Sequence, residues 1–238
     1  MALIVSAGAV SSDGGSTVTT SSIDTSTATL IVVHIADYVG ATASTLSDSK
    51  SNTWTALTAI TSSTMCRSHL FYCSSPSVGS GHTFTATKSG SNSYPSIQVS
   101  AWTGTPTYDQ ETGHAQTSVP SENQVGSLTP PVDNSLFVTG LCYEISEIDA
   151  NVTIDASFTK LLNNNFTSGQ AMGGAFGYFE QTTAAAKNPK WDYASSIITA
   201  ATMATFKPSG GGGGGTGCVW KLIGYGGGLV GDRKGLIG

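Results

Sequence analysis

The chain has 238 residues, 10 basic and 15 acidic side chains and a formal net charge of −5; only 11% of it is charged, where roughly a quarter is usual. In place of charge stand 65 serines and threonines and 29 glycines. Three classes are excluded: no apolar run reaches the ~18 residues of a spanning helix, no basic stripe is present to neutralise phosphates, and 8 Phe, 8 Tyr and 4 Trp are too many for wholesale disorder.

The first ten residues, from Met1 to Val10, are apolar but broken at Ser6 and Gly8 and lack a basic leading region. They read as a first strand rather than a secretory leader, so the chain is expected to be made in a cytoplasm and to stay folded there, or to leave by lysis. Residues 28–38, with Leu30-Ile31-Val32-Val33-His34-Ile35 at their heart, are apolar on both faces and predict a central strand. Strands are also predicted over 53–60, 67–74, 82–88, 96–103 and 135–143. In 152–158, Val152, Ile154, Ala156 and Phe158 alternate with polar residues, the period of a half-buried strand. Two more strands are expected over 171–181 and 196–207. Turn clusters such as Asp13-Gly14-Gly15 and Lys187-Asn188-Pro189 separate these segments, and no dozen residues hold a helical period. The expected fold is all-β, an antiparallel β-sandwich of jelly-roll-like kind over residues 1–207.

After Pro208 the composition breaks into a Gly-rich tether, 208–217, with six consecutive glycines at 210–215. The extended C-terminal tail, 218–238, carries Val219, Trp220, Leu222, Ile223, Tyr225, Leu229 and Val230 yet is too short to build a core of its own. It holds Lys221, Arg233 and Lys234 against Asp232 alone, whereas residues 1–217 are strongly acidic. The tail is therefore expected to dock on a partner, most simply by adding a strand to a neighbour's sheet edge.

Chemical motifs are sparse. Residues 226–231 match G-x-G-x-x-G, but seven residues follow, too few for the helix such a phosphate loop requires. Asp109 and Glu111, two apart with His114 nearby, would share one face of a strand, as paired glycosidase carboxylates do, but the flanking acids of that pattern are missing. Glu144, Glu147 and Asp149 form an oxygen-rich loop without the spacing of a specific cation site. His34, His69, His82 and His114 are scattered, and no Gly-x-Ser-x-Gly elbow accompanies them. Cys66, Cys73, Cys142 and Cys218 have no metal-ligand spacing and read as buried small hydrophobes; Cys66 and Cys73, seven apart on one strand, would face opposite ways. No enzyme activity, cofactor or metal is expected.

The segments Asp48-Ser-Lys-Ser-Asn-Thr-Trp54, Tyr72-Cys-Ser-Ser-Pro76 with Gly81-His-Thr-Phe84, Val99-Ser-Ala-Trp102, Gly177-Tyr-Phe-Glu and Asn188-Pro-Lys-Trp191 together resemble a Ser/Thr-rich β-sandwich module of bacteriophage virion proteins. The resemblance spans about residues 15–207 and rests on turns and core aromatics. It implies a virion structural protein: a capsid decoration or cement protein, a head fibre or a tail protein. The expected partners are the major capsid protein or other virion proteins and further copies of the chain, a trimer being the preferred oligomer; nucleic acid and membrane are not expected partners. The alternative is a glycan-binding adhesin that would use Trp54, Trp102 and Tyr108 as a stacking platform.

Overall fold

The computed structural model describes residues 1–11, 15–40, 42–63, 65–88, 94–116, 118, 121–144, 151–165 and 172–209. These residues are all-β, in antiparallel sheets of which none closes on itself. The first half carries β1 (Ala2–Val10), β2 (Thr17–Thr19), β3 (Leu30–Tyr38), β4 (Thr45–Asp48), β5 (Thr55–Ala56), β6 (Ile60–Thr61), β7 (Cys66–Ser74), β8 (Phe84–Thr87) and β9 (Ser96–Thr103). The second carries β10 (Pro106–Ala115), β11 (Glu122–Gln124), β12 (Leu136–Tyr143), β13 (Thr153–Ile154), β14 (Thr159–Asn164), β15 (Gly173–Glu180), β16 (Lys190–Asp192) and β17 (Thr199–Pro208).

Residue period decides how the sheets stack. On β3, Leu30, Val32 and Ala36 point to one side, into layers shared with Leu136, Val138 and Cys142 of β12. Ile31, Val33 and Ile35 point to the other side, onto Phe84 and Ala86 of β8. On β12, Phe137, Leu141 and Tyr143 turn away from β3 and meet Trp191 of β16. Four β layers therefore stack, small–large–large–small, with apolar packing between each pair. β3, β9 and β12 are buried on both faces, which is why their sequences are nearly continuous in apolar and small residues.

The strand orders of the two halves coincide. The large sheets run β1-β9-β3-β7-β5 (with β6 also on β7) and β10-β17-β12-β15-β14; the small ones run β2-β8-β4 and β11-β16-β13. Details repeat too: a bulge between Leu3 and Val5 matches one between Tyr108 and Gln110, and the isolated bridge Ile23–His82 matches Leu128–Lys187. Register makes Trp102 (opposite Leu30) the counterpart of Phe206 (opposite Leu136), and Tyr72 (opposite Val32) the counterpart of Tyr178 (opposite Val138). Across the central interface Tyr72 meets Phe206 edge-on at 5.5 Å while Trp102 meets Tyr178 edge-on at 5.0 Å. Exchange of partners between counterparts is the mark of an approximate two-fold axis. The described residues thus form two halves of the same plan, related by that axis.

Two strand expectations change. Residues 152–158 form a strand only at Thr153–Ile154, because Phe158 N closes a turn on Asp155 O at 2.8 Å and Asp155 accepts Lys190 N at 2.9 Å. Of the four alternating residues Val152 and Phe158 are buried and Ile154 partly so, while Ala156 is exposed in the turn. Residues 53–60 break into β5 and the start of β6, because Leu57 N bonds Leu70 O and Thr58 is drawn to Glu111 across the gap between sheets.

Candidate functional site

The seven tail residues expected to bind a partner, Val219, Trp220, Leu222, Ile223, Tyr225, Leu229 and Val230, lie outside the described residues, as do Glu147 and Asp149. The proposed aromatic platform is not assembled. Trp102 is fully buried between the large sheets and donates its indole N–H to Ser100 at 2.8 Å, so neither ring face can meet a sugar. Trp54 lies in a different layer, against Phe84, with its N–H on Asp48 at 2.9 Å. Tyr108 keeps part of its ring exposed and stacks on Tyr72, centroids 5.4 Å apart.

The carboxylate pair is likewise separated. Asp109 occupies the bulge of β10, which voids the same-face rule, and pairs with Lys207 at 3.2 Å. Glu111 instead accepts the backbone N–H and hydroxyl of Thr58 at 3.1 and 2.7 Å. His114 contacts Asn123 at 3.3 Å, and Glu144 accepts the N–H of Ile198 at 2.9 Å. Among the described residues no group of three or more His, Cys, Asp or Glu could hold a metal ion, and no helix is long and apolar enough to cross a membrane.

Beside the Tyr72–Tyr108 stack, at one pole of the body, is an open cleft of about 320 Å³ lined by Thr29, Ser74, Ser75, Thr105, Pro106, Thr107 and Ser209. Ser75 and Thr105 adopt φ of 56° and 48°, left-handed values uncommon outside glycine. The counterpart position in the second half is lined by Asn134, Ser135, Glu180, Gln181 and Thr182 with Met1, and encloses only about 60 Å³. Register equates Ser74 with Glu180, so short hydroxyl side chains leave open in one half what long ones fill in the other. The lining carries no charge. Its hydroxyls and backbone groups can exchange hydrogen bonds with neutral polar groups, but nothing there can act as an acid, base or activated nucleophile.

Between the large sheets lies a polar seam: His34, which its apolar run marks as a core or interface histidine with a satisfied hydrogen bond, meets partners that the sequence does not reveal. His34, fully buried, donates from Nδ1 to Gln98 Oε1 at 2.6 Å, and its Nε2 lies 2.8 Å from Ser68 Oγ. Gln98 Nε2 donates to Ser96, and the Ser68 hydroxyl also approaches Thr202 at 3.3 Å. Opposite the imidazole is Gly140, where a Cβ would overlap the ring; Gly174 makes the same room for Gln98. Burial pushes the His34 pKa down to about 4, against the supporting pull of the Gln98 hydrogen bond. Below about pH 6.5 the unfolded chain binds a proton that the folded chain refuses until about 4, so stability is complete above this window and falls as pH drops through it. The expected loss is about 3 kcal/mol, at roughly 1.4 kcal/mol per pH unit. His69, also lowered by burial, adds in the same direction. Urea midpoints from pH 7 to 4.5 should therefore fall more steeply for the wild-type protein than for His34→Gln; parallel slopes would refute the assignment to His34.

A second polar centre organises the loop after β4. Asp48 accepts the backbone N–H groups of Lys50 and Asn52 at 2.8 and 3.1 Å, the indole N–H of Trp54 at 2.9 Å and His82 Nε2–H at 2.9 Å. Burial alone would raise its pKa, but these donors outweigh it and hold the carboxyl below its usual range. Thr25 Oγ1 lies 2.9 Å from the other nitrogen of His82, completing a Thr–His–Asp chain. The resemblance to a catalytic triad ends with access: Thr25 and His82 are fully buried, so no substrate carbonyl can approach the hydroxyl. The chain fastens loops. The D-x-x-x-N-x-W spacing is the one sequence signal that could have revealed it, since a turn Asp bonds N–H groups two and four residues on.

The third centre is ionic. Asp37 accepts the N–H and hydroxyl of Ser44 at 3.0 and 2.5 Å and lies 3.4 Å from Arg67 and 3.5 Å from Lys88. Lys88, buried with its ammonium 5.8 Å from the Tyr38 ring centroid, has its pKa lowered by burial despite Asp37. Comparison of the chain with known protein families, curated proteins and solved structures finds no match.

Proposed function

We propose that the chain is a non-enzymatic structural protein of a bacteriophage virion, a capsid decoration protein whose body is a pair of jelly-roll sandwiches followed by a Gly-rich segment and an apolar, basic tail. The eight-stranded second half supports the jelly-roll reading through its strand order: first, eighth, third and sixth strands side by side in β10-β17-β12-β15, with the second, seventh and fourth together in β11-β16-β13; β1-β9-β3-β7 and β2-β8-β4 follow the same plan in the first half. The observation that carries the function is the exit of the chain. Ser209, the last described residue, is hydrogen-bonded to Thr105, whose neighbour Gly104 packs on Met1, so the described chain begins and ends at the same end of the body. An inert body with both ends of its described chain at one pole suits display from a surface held by the apolar, basic tail. The low charge of the Ser/Thr surface supports the reading, because few charges must be stripped of water on close packing. Assembly in a host cytoplasm, with the major capsid protein and further copies of the chain as a trimer by analogy with other shell proteins, belongs to the same proposal. 

The hydroxyl-lined cleft beside Tyr72 and Tyr108 favours a second reading, a glycan-binding module on the particle. One experiment addresses both. The protein truncated after Ser209 is expected to remain folded and to lose at least ten-fold occupancy on purified particles relative to the full chain. Wild-type occupancy of the truncated form would eliminate the tail as anchor. Retention of glycan-array binding by the truncated body would move the function to the second reading.

A further inference from the structure

Cys66 and Cys142 stand on opposite large sheets, both fully buried in one cluster with Ala36, Met172 and Ala200. Neighbouring contacts fix how they face. Ser68 Oγ lies 3.3 Å from Gly140 O across the interface; Cys66 is two residues before Ser68 and Cys142 two after Gly140, so both side chains turn into the same gap. Each thiol reaches across to the other sheet, Cys66 Sγ to Ile198 O at 3.2 Å and Cys142 Sγ to Asp37 O at 3.7 Å. Both belong to the same buried cluster, so they are near neighbours across the interface. The symmetry-related position holds Met172 and Ala36, so the sulfur pair belongs to one side of the axis only. Cys73, seven residues along β7, faces the other way, as its spacing predicted.

We propose that Cys66 and Cys142 are a covalent cross-link site, joined by a small disulfide oxidant of the glutathione class into one bond that staples the two halves together. In the first step a Cys thiolate attacks the oxidised glutathione disulfide, forming a mixed disulfide and releasing one glutathione thiolate. The second Cys, deprotonated, displaces the other glutathione; two protein thiols and one oxidised glutathione thus become one protein disulfide and two reduced glutathiones. Burial, and then the neighbouring Cys142 thiol, push the Cys66 thiol well above its ordinary pKa, so exchange in the closed protein is slow and the bond forms chiefly during folding or opening. The bond closes a loop of about 76 residues, a length at which a cross-link restricts the unfolded chain strongly. That it would form after release into oxidising surroundings rests on the virion reading; its chemistry does not.

The test refolds the full-length wild-type chain from urea in oxidised or in reduced glutathione, then alkylates and maps peptides by mass. Oxidised glutathione should give a linked Cys66–Cys142 peptide 2 Da below the sum of its thiols, and an unfolding midpoint higher by roughly 10 °C, reversed by reductant. Cys66→Ser should fold and show no such rise. Alkylated Cys66 and Cys142, or linkage of either to Cys73 or Cys218 instead, overturns the proposal. Because particle binding is not measured, failure here leaves the virion reading standing, and failure of particle binding leaves this one standing.

Discussion

Gly140→Ala is expected to destabilise the protein by about 2–3 kcal/mol, a large effect for a single methyl group. The methyl would enter the space of the His34 imidazole, which cannot step aside because Gln98 and Ser68 hold it at 2.6 and 2.8 Å and Phe176 lies parallel to it at 6.1 Å. The companion change, His34→Ala, relieves that overlap but leaves Gln98 Oε1 without its donor, takes one of the partners of Ser68 and opens a cavity, itself costing about 2–4 kcal/mol. The two effects should not add. In urea denaturation the double variant is expected to be at least 1 kcal/mol more stable than the sum of the singles. Additive losses would mean that Gly140 matters for its own backbone and not for the room it gives the ring.

Asp48→Ala should be costlier, about 3–5 kcal/mol. The carboxylate satisfies donors from Lys50, Asn52, Trp54 and His82 at once. His82 is fully buried and its lost acceptor cannot be replaced by water without opening the layer beneath Phe84, on which the imidazole stacks at 4.2 Å. Asp48→Asn keeps one oxygen acceptor and should lose about half as much. Trp54 gives the measurement a local reading: its fluorescence should shift to longer wavelength in Asp48→Ala before global unfolding. A loss under 1 kcal/mol would show that the loop carries its own weight without this carboxylate.

Both effects arise where the sequence was least legible, and the reason is physical. His34 inside an apolar run announces burial, but its partners Gln98 and Ser68 come from strands 64 and 34 residues away. The facing Gly140 belongs to the other half of the chain. The repetition of the plan was hidden for the same cause. Counterparts across the axis were chosen for complementarity rather than likeness, so His34 stands where its twin is Gly140 and Ser68 where its twin is Gly174. Strand β10 escaped notice because an edge strand with Asp109 and Glu111 shows no apolar period, and β14 because it ends in Asn163-Asn164, poor strand formers.

Local rules acting on neighbouring residues determined the rest from sequence alone. The apolar run of β3 announced a central strand, the segments of β9 and β12 announced strands, and Gly, Asn and Asp clusters marked the turns. The odd spacing of Cys66 and Cys73 placed them on opposite faces. Only the tertiary structure decided which faces meet: that Trp102 is sealed between sheets, that a bulge parts Asp109 from Glu111, that Thr25, His82 and Asp48 join, and that two thiols cross one interface. Those outcomes depend on contacts between residues tens of positions apart, and strand period, which fixes the side a residue points to, carries no information about what waits on that side.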